Sequence, residues 1–325
     1  MNFGVAFGYG ARLLCLSLAS FVLVLAALGL VVSVSAPVWI SLAGRMRARA
    51  GARLLLSVRL APLAGALAFV ASLCVPSYLW LEPERGEERA GVVSLVVALI
   101  GLGLLAWSLA RSARALRRSA RFVRECEETG VAAEIPGWQS PVLIVEGHGP
   151  VLALAGVLRP RLILTRRLRD ALSHEQLAVA LRHEEAHRRS HDNLKRFLLV
   201  LAPDVFPFLG GLRAMEAMWG RLAEWAADDE AAEGRPGESV RLAETLLRCA
   251  RLGSAGSVPE LSASLLCCDD DLAARVERLL GGRETSRSGI GGLLAGVLMA
   301  GGVAALLLQP VVLRSVHLAL ELLME

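Results

Sequence analysis

The sequence predicts a mostly α membrane protein that carries a polar α+β domain between the third and fourth of its four transmembrane helices. Two observations lead to this fold class. Hydrophobic residues make up 54% of the 325-residue chain, and its mean hydropathy is +0.52, values typical of a protein with several membrane spans. The charged residues are also unevenly placed, because they leave four long stretches free and gather between the third and the fourth.

These four uncharged stretches give the predicted spans. They cover residues 13–44, 60–81, 90–110 and 290–313. Each is long enough to cross a bilayer, for which about 20 helical residues are needed. In the first stretch we expect the span at 13–36, closed by Pro37, and this stretch is too long for the apolar core of a signal peptide. The chain is therefore divided into a three-span region (1–110), a polar domain (111–289) and a fourth span with a short tail (290–325).

Arginine clusters set the predicted orientation. Four arginines lie in residues 45–53 and six in residues 111–124, whereas the loop at 82–89 is net acidic. By the positive-inside rule, both termini lie outside a bacterial inner membrane and residues 111–289 face the cytoplasm. An arginine run can also bind nucleic acid. Next to a span it is more often a topology determinant at the lipid headgroups, so we expect the bilayer, and no nucleic acid, as its partner.

The polar domain contains the pattern H-E-x-x-H at residues 183–187. Ser173 and Gln176 have the spacing of a capping box, and no proline or glycine occurs from 168 to 196, so the segment is predicted to be helical. Residues four apart share a helix face, so His183 and His187 can present two imidazoles to one metal ion. Glu184 would flank the ion and take a proton from a bound water. The alternative is a surface helix with two chance histidines.

A second helical segment supplies a candidate third ligand. A catalytic zinc needs three protein ligands and one open position. Glu224 and Asp228 form E-x-x-x-D, in which Glu224 would bind the metal and Asp228 would accept a hydrogen bond from the second nitrogen of a ligand histidine. The alternative is an acidic, solvated helix face. Together the motifs predict a Zn²⁺ site in a zincin-like (gluzincin) metallopeptidase domain that spans residues 111–289.

The residues around these motifs give finer expectations. Apolar runs at 141–145, 151–155 and 162–165 predict a small antiparallel sheet, with 151–155 as the edge strand that pairs with extended substrate. Asp192 lies about 140° around the helix from His187, which favours an N-cap role over contact with the site. His191 projects nearer the zinc face and is a possible oxyanion stabiliser, although a solvated helix end explains it as well.

The order of these motifs resembles the BlaR/MecR-type membrane zinc metallopeptidases, the antirepressor family of β-lactam sensing. The resemblance rests on A-G-V-L-R-P-R-L-I-L at 155–164, L-S-H-E-Q-L at 172–177, the two motifs above and the R-R-S-H-D-N-L at 188–194. It implies a membrane zinc endopeptidase that cleaves a transcriptional repressor in the cytoplasm, with Glu184 as the catalytic base. A more distant resemblance to HtpX-type peptidases implies a quality-control protease for membrane proteins.

The chain departs from that family in one respect. Receptors of this type carry a penicillin-binding sensor after the last span, and no S-x-x-K acylation motif follows residue 313 here. We therefore expect sensing by a partner protein, the loops or the spans. The non-enzyme alternative is a zinc-binding membrane receptor or scaffold, which would have no use for a water-activating carboxylate at Glu184. A transporter is a third alternative, but no charged pathway crosses the spans.

Overall fold

The computed structural model describes residues 5–6, 9–81, 89–90, 92–146, 151–253, 259, 261–264 and 271–281. Within these ranges the chain is mostly helical, as predicted, and contains a small sheet. The predicted fourth span and tail (290–325) lie outside the described residues. A two-stranded pair, β1 (Val5–Ala6) with β2 (Arg89–Ala90), joins the segments that precede the first and third long helices.

Three helices of the described ranges are long and apolar enough to cross a membrane. They are α1 (Tyr9–Gly44), α2 (Ala48–Phe69), which continues through a π-helical turn (Val70–Cys74) into α3 (Val75–Leu81), and α4 (Val92–Thr129). The three spans predicted within residues 1–110 correspond to these helices. The helix α4 extends past its uncharged stretch and contains all six arginines of residues 111–124, whereas the cluster at 45–53 is divided between the turn that follows α1 and the start of α2.

The helix α1 does not end at Pro37, which the sequence predicted as the end of the first span. Pro37 lies inside α1, where its fixed φ suits a helix but its missing N–H leaves the carbonyl of Ser33 without the usual helical hydrogen bond. A later helix packs closely at this point, since a Cβ added to Gly211 would lie 2.1 Å from Ser33 O. Glycine is therefore required at residue 211.

That later helix is α8 (Gly211–Ala231), which carries Glu224 and Asp228 and packs against both α1 and α2. The contact is apolar, and its members include Ala43, Leu55, Trp219 and Leu222. A partly buried ion pair adds to it, since Arg59 Nε lies 2.7 Å from Glu216 Oε1 and the Arg59 side chain is 4% exposed, although that of Glu216 is 35% exposed. The helix with the proposed third ligand is thus attached to the candidate membrane spans.

The sheet of the polar domain has five strands in the part of the chain described here, in the order β3-β4-β6-β5-β7. The strands are β3 (Val131–Ala133), β4 (Val142–Val145), β5 (Leu152–Ala155), β6 (Arg161–Thr165) and β7 (Ala263–Ser264). The strands β4 and β6 pair in parallel, so the prediction of a wholly antiparallel sheet was wrong. The cause is the hairpin from β5 to β6, which places β6 between β4 and β5.

The expectation that residues 151–155 form an open edge was also wrong. The strand β5 pairs with β6 on one side and with β7 on the other, through Ala153 with Ser264 and Leu154 with Ala263. The sequence between 252 and 271 is rich in Gly and Ser and has no strand pattern, so β7 could not be anticipated.

Both faces of the sheet are covered by helices. The remaining helices are α5 (Arg166–Ala171), α6 (His174–Ser190), α7 (Asp192–Leu201), α9 (Pro236–Arg251) and α10 (Leu272–Leu280). Leu162 and Leu164 point into the core shared with α6 and α9, whereas Ile163 packs with Cys126 of α4 on the opposite face, as strand alternation requires. This packing fixes α6 between the sheet and α8.

Candidate metal centre

The helix α6 begins with the predicted capping box. Ser173 Oγ accepts a hydrogen bond from Gln176 N, and Gln176 Oε1 accepts one from Ser173 N, both at 3.2 Å. Apolar residues of α6 (Val179, Ala180 and Leu181) pack in the core. The rest of α6 packs against α8. Both motif histidines are buried in this contact, since His183 is 0% and His187 is 1% exposed.

His183, His187 and Glu224 form a compact, buried group of metal-ligating side chains. The two Nε2 atoms lie 3.1 Å apart. Glu224 Oε2 lies 3.4 Å from Nε2 of His183, and Glu224 Oε1 lies 3.5 Å from Nε2 of His187. Two ligand atoms that are each about 2.0–2.1 Å from one ion, at a tetrahedral angle, are about 3.3–3.4 Å apart. The spacing of all three ligands therefore fits a single tetrahedral ion.

The buried carboxylate of Glu224 also fits a cation. Its Oε2 is buried and accepts no hydrogen bond from any residue that the structure describes. The nearest cationic nitrogens to the carboxylate are Nη2 of Arg196, 3.3 Å from Oε1, and Nη1 of Arg275, 3.4 Å from Oε2. A buried carboxylate oxygen without a donor is costly, and a metal ion at the centre of the group would satisfy it.

Asp228 lies where the sequence predicted it. One turn beyond Glu224 on α8, its Oδ1 is 3.0 Å from Nδ1 of His183. The contact is electrostatic and is not aligned as a hydrogen bond. The carboxylate is fully buried. It thus faces the ring nitrogen of His183 that the metal would not use, which is the usual arrangement around a ligand histidine.

Asp192 serves His187 in the same way, which corrects the prediction that it caps the next helix. Its Oδ2 lies 2.7 Å from Nδ1 of His187 and its Oδ1 accepts a hydrogen bond from Lys195. The angle of about 140° between His187 and Asp192 assumed one continuous helix, but α6 ends at Ser190. His191 follows in the left-handed region, with φ 56° and ψ 40°, and turns the chain so that Asp192 comes back over the site.

His191 does not join the cluster, although the sequence made it a possible oxyanion stabiliser. It is exposed at the corner between α6 and α7. Its backbone conformation, uncommon for a residue with a Cβ, gives it a role in the turn instead. Glu184, the expected catalytic base, is fully buried beside His183 on α6.

Arg275 is the residue that sequence reasoning missed. Its Nε and Nη2 donate to both carboxylate oxygens of Asp228, at 2.9 and 2.7 Å, and it is 3% exposed. The sequence held a signal, because Arg275 interrupts the apolar stripe formed by Leu272, Val276 and Leu279 on α10. The stripe does not, however, identify Asp228 as the partner of Arg275.

The charged side chains of this group shift one another's pKa values. Burial alone would raise the pKa of Asp228, but Arg275 and His183 outweigh it and lower that pKa to about 2. Burial would also raise the pKa of Glu224, which the charge on His187 and its other partners hold well below the usual range. Burial would lower the pKa of His187, yet Glu224 and Asp192 raise it to about 10. The site is thus built to hold positive charge next to ionised carboxylates.

No protein-family model matches this chain, and comparison with curated proteins finds no similar sequence. A buried group of two imidazoles and a carboxylate is present, and such a group can bind a metal ion.

Proposed function

We propose that this protein is an integral-membrane zinc endopeptidase whose catalytic domain faces the cytoplasm. The observation that carries the proposal is the buried group of His183, His187 and Glu224, with its ligand atoms 3.1–3.5 Å apart. Glu184, which follows His183 on α6, is also fully buried. Two imidazoles and one carboxylate are the ligand set of many catalytic zinc sites, and they leave a fourth position open.

The chain's own residues divide the chemistry among them. Zinc, when bound, supplies a Lewis acid that polarises the peptide carbonyl and eases deprotonation of the attacking water. Glu184 takes the proton of that water and passes it to the leaving amide nitrogen as the C–N bond breaks. Asp228 and Asp192 orient the rings of His183 and His187.

Arg275 and Lys195 complete this arrangement by holding the two orienting carboxylates. Arg275 grips Asp228 with two nitrogens, and Lys195 Nζ lies 2.7 Å from Asp192 Oδ1. Each ligand histidine therefore has a carboxylate behind it, and each carboxylate has a cation behind it. A purely structural site would not need a buried Glu184 as well, which favours the enzyme over a zinc-binding receptor or scaffold.

The resemblance to BlaR/MecR-type peptidases makes a cytoplasmic transcriptional repressor the proposed substrate. Quality-control cleavage of membrane proteins, as the resemblance to HtpX-type peptidases implies, is the second candidate. The position of the centre favours neither, because α8 connects it to the candidate spans and α6 connects it to the polar domain. Cleavage products identified in cells would separate the two.

A matched pair of variants tests the catalytic claim. Glu184→Gln removes the base, whereas Glu185→Gln changes the neighbouring glutamate, which pairs with Arg188 and Arg189 at the surface. We expect both variants to keep zinc, and only Glu184→Gln to lose cleavage, by about 10²–10⁴-fold. Cleavage of a random decapeptide mixture by the detergent-purified protein, read by mass spectrometry, is the assay. Equal cleavage by Glu184→Gln and wild type would contradict the proposal.

A further inference from the structure

A basic cavity of about 450 Å³ lies beside the metal centre. It is enclosed by the first turns of α2, the corner between α6 and α7, and one face of α8. Its charged wall is formed by Arg49, Arg53, Arg189 and Lys195 together with Asp192 and Glu230. Its apolar wall includes Leu56, Trp219 and Ala223.

The cavity wall carries more positive than negative charge. Glu230 pairs with Arg49 at 2.5 Å and lies 3.6 Å from Arg189, so one carboxylate serves two guanidinium groups. Asp192 is shared between Lys195 and the ring of His187. Arg189 also contacts Glu185 outside the cavity, at 2.9 Å, but Glu185 is already held by Arg188.

Arg53 is the cavity-lining basic residue that neither Glu230 nor Asp192 contacts. It is exposed and makes no ion pair with any residue in the described ranges. Four basic and two acidic side chains line the cavity, which leaves an excess of two positive charges in a concave site. Such a site attracts an anion.

The position of the cavity identifies the kind of anion. Arg53 precedes the uncharged stretch of α2–α3 at residue 60 by seven residues, or about 10 Å along the helix axis. The headgroup layer of one leaflet is about 5–8 Å thick, and an arginine side chain covers the remainder. Leu56 and Trp219 line the cavity, and Leu56 lies nearer than Arg53 to the uncharged stretch. Tryptophan is enriched at this level of membrane proteins.

We propose that this cavity binds the headgroup of an anionic phospholipid from the adjacent leaflet. The basic side chains contact its phosphate, and Leu56 and Trp219 contact the beginning of its acyl chains. Basic pockets at the cytoplasmic ends of spans bind lipid headgroups in this manner. The bound headgroup would lie next to the pair of Lys195 and Asp192, and thus one residue away from the ligand His187. This assignment does not depend on the proposed peptidase activity.

The test measures lipid binding to the full-length, detergent-purified protein by native mass spectrometry. The probes are phosphatidylglycerol, phosphatidylcholine of the same chain length, and inorganic phosphate as a competitor. We expect phosphatidylglycerol to bind at least about tenfold more tightly than phosphatidylcholine. We also expect Arg53→Gln to weaken phosphatidylglycerol binding about fivefold, the effect of one basic side chain near a membrane surface.

Arg45→Gln is the matched control, because Arg45 belongs to the same arginine cluster but does not line the cavity. It should leave phosphatidylglycerol binding unchanged, and both variants should keep the metal content of the wild type. Equal loss in the two variants would show diffuse attraction and overturn the proposal. So would equal binding of the two lipids. Displacement of phosphatidylglycerol by millimolar inorganic phosphate would assign the cavity to a free anion and overturn the lipid assignment.

Discussion

Asp192 Oδ2 lies 2.7 Å from Nδ1 of His187, although the two residues belong to different helices. The left-handed residue between these helices, His191, produces this contact. Because Nδ1 is held, the ring presents Nε2 toward His183 and Glu224, at the distances that one ion requires. The orientation of a metal ligand is thus set by the corner of the chain and not by helix periodicity alone.

Replacing Asp192 tests this relationship. In Asp192→Asn the charge behind His187 is lost, and Lys195 loses its partner. We expect zinc affinity to fall about 10–100-fold, the usual effect of removing such an outer contact. Competition with a chromophoric chelator measures the affinity. Asp170→Asn, which changes an exposed acid on α5 that pairs with the exposed Arg169, should be neutral. Wild-type affinity in Asp192→Asn would show that the contact is incidental.

Arg275 should be essential for the stability of the metal centre. In Arg275→Gln, the buried Asp228 loses the guanidinium that holds both its oxygens, and the buried Glu224 loses one of the two guanidinium groups beside it. Removing one partner of a buried ion pair costs about 3–5 kcal/mol. Unfolding in mixed detergent micelles, followed by circular dichroism, measures the loss.

Arg278→Gln on the same helix provides the comparison. Arg278 pairs with Asp229, and both side chains are more than a quarter exposed. We expect this change to cost at most about 1 kcal/mol. Equal stability losses in the Arg275 and Arg278 variants would show that the buried ion pair contributes no more to stability than the exposed one, and would contradict this prediction.

Removing the metal should destabilise the polar domain. Zinc at 100 times its dissociation constant stabilises a folded protein by about 2.7 kcal/mol. We therefore expect a chelator to lower the unfolding temperature and added zinc to restore it. In Glu224→Gln the response to zinc should largely disappear, since one of the three ligands is weakened. A chelator effect of the same size in that variant would place the metal elsewhere.

The metal-free protein should lose stability as the pH rises. In its folded form the pKa of His187 is raised to about 10, whereas that of an unfolded histidine is about 6.5. The stabilisation is thus fully present below about pH 6.5 and is lost as the pH rises to about 10. Unfolding temperatures in chelator at pH 6, 8 and 10 should decline more steeply in wild type than in His187→Gln. His174→Gln, at an exposed residue, should retain the wild-type slope; a shallow wild-type slope would contradict this assignment.

Patterns within single helices predicted most of the centre. The capping box at Ser173, the pair of histidines and the four-residue spacing of Glu224 and Asp228 all follow from helix periodicity, which does not depend on the rest of the chain. The three described spans follow equally from uncharged length.

The features that sequence reasoning missed depend on contacts between distant segments. Arg275 meets Asp228 across 47 residues of chain. The strand β6 inserts between β4 and β5, and β7 arrives from more than 100 residues downstream to cover β5. Asp192 is only five residues from His187, but the left-handed residue His191 between them ends the helix, so helix periodicity does not give the position of Asp192. In each case the contact is determined by tertiary packing, and the periodic pattern of a single segment gives no information about it.

X-ray absorption at the zinc edge, on protein purified without chelators, tests the central claim most directly. We expect about one zinc per chain, with two imidazole nitrogens and one carboxylate oxygen among four light ligands at about 2.0–2.1 Å. In Glu224→Ala the carboxylate contribution should disappear and the zinc content should fall. A protein that binds no zinc, or whose zinc has sulfur ligands at about 2.3 Å, would contradict the assignment of His183, His187 and Glu224 as the metal centre.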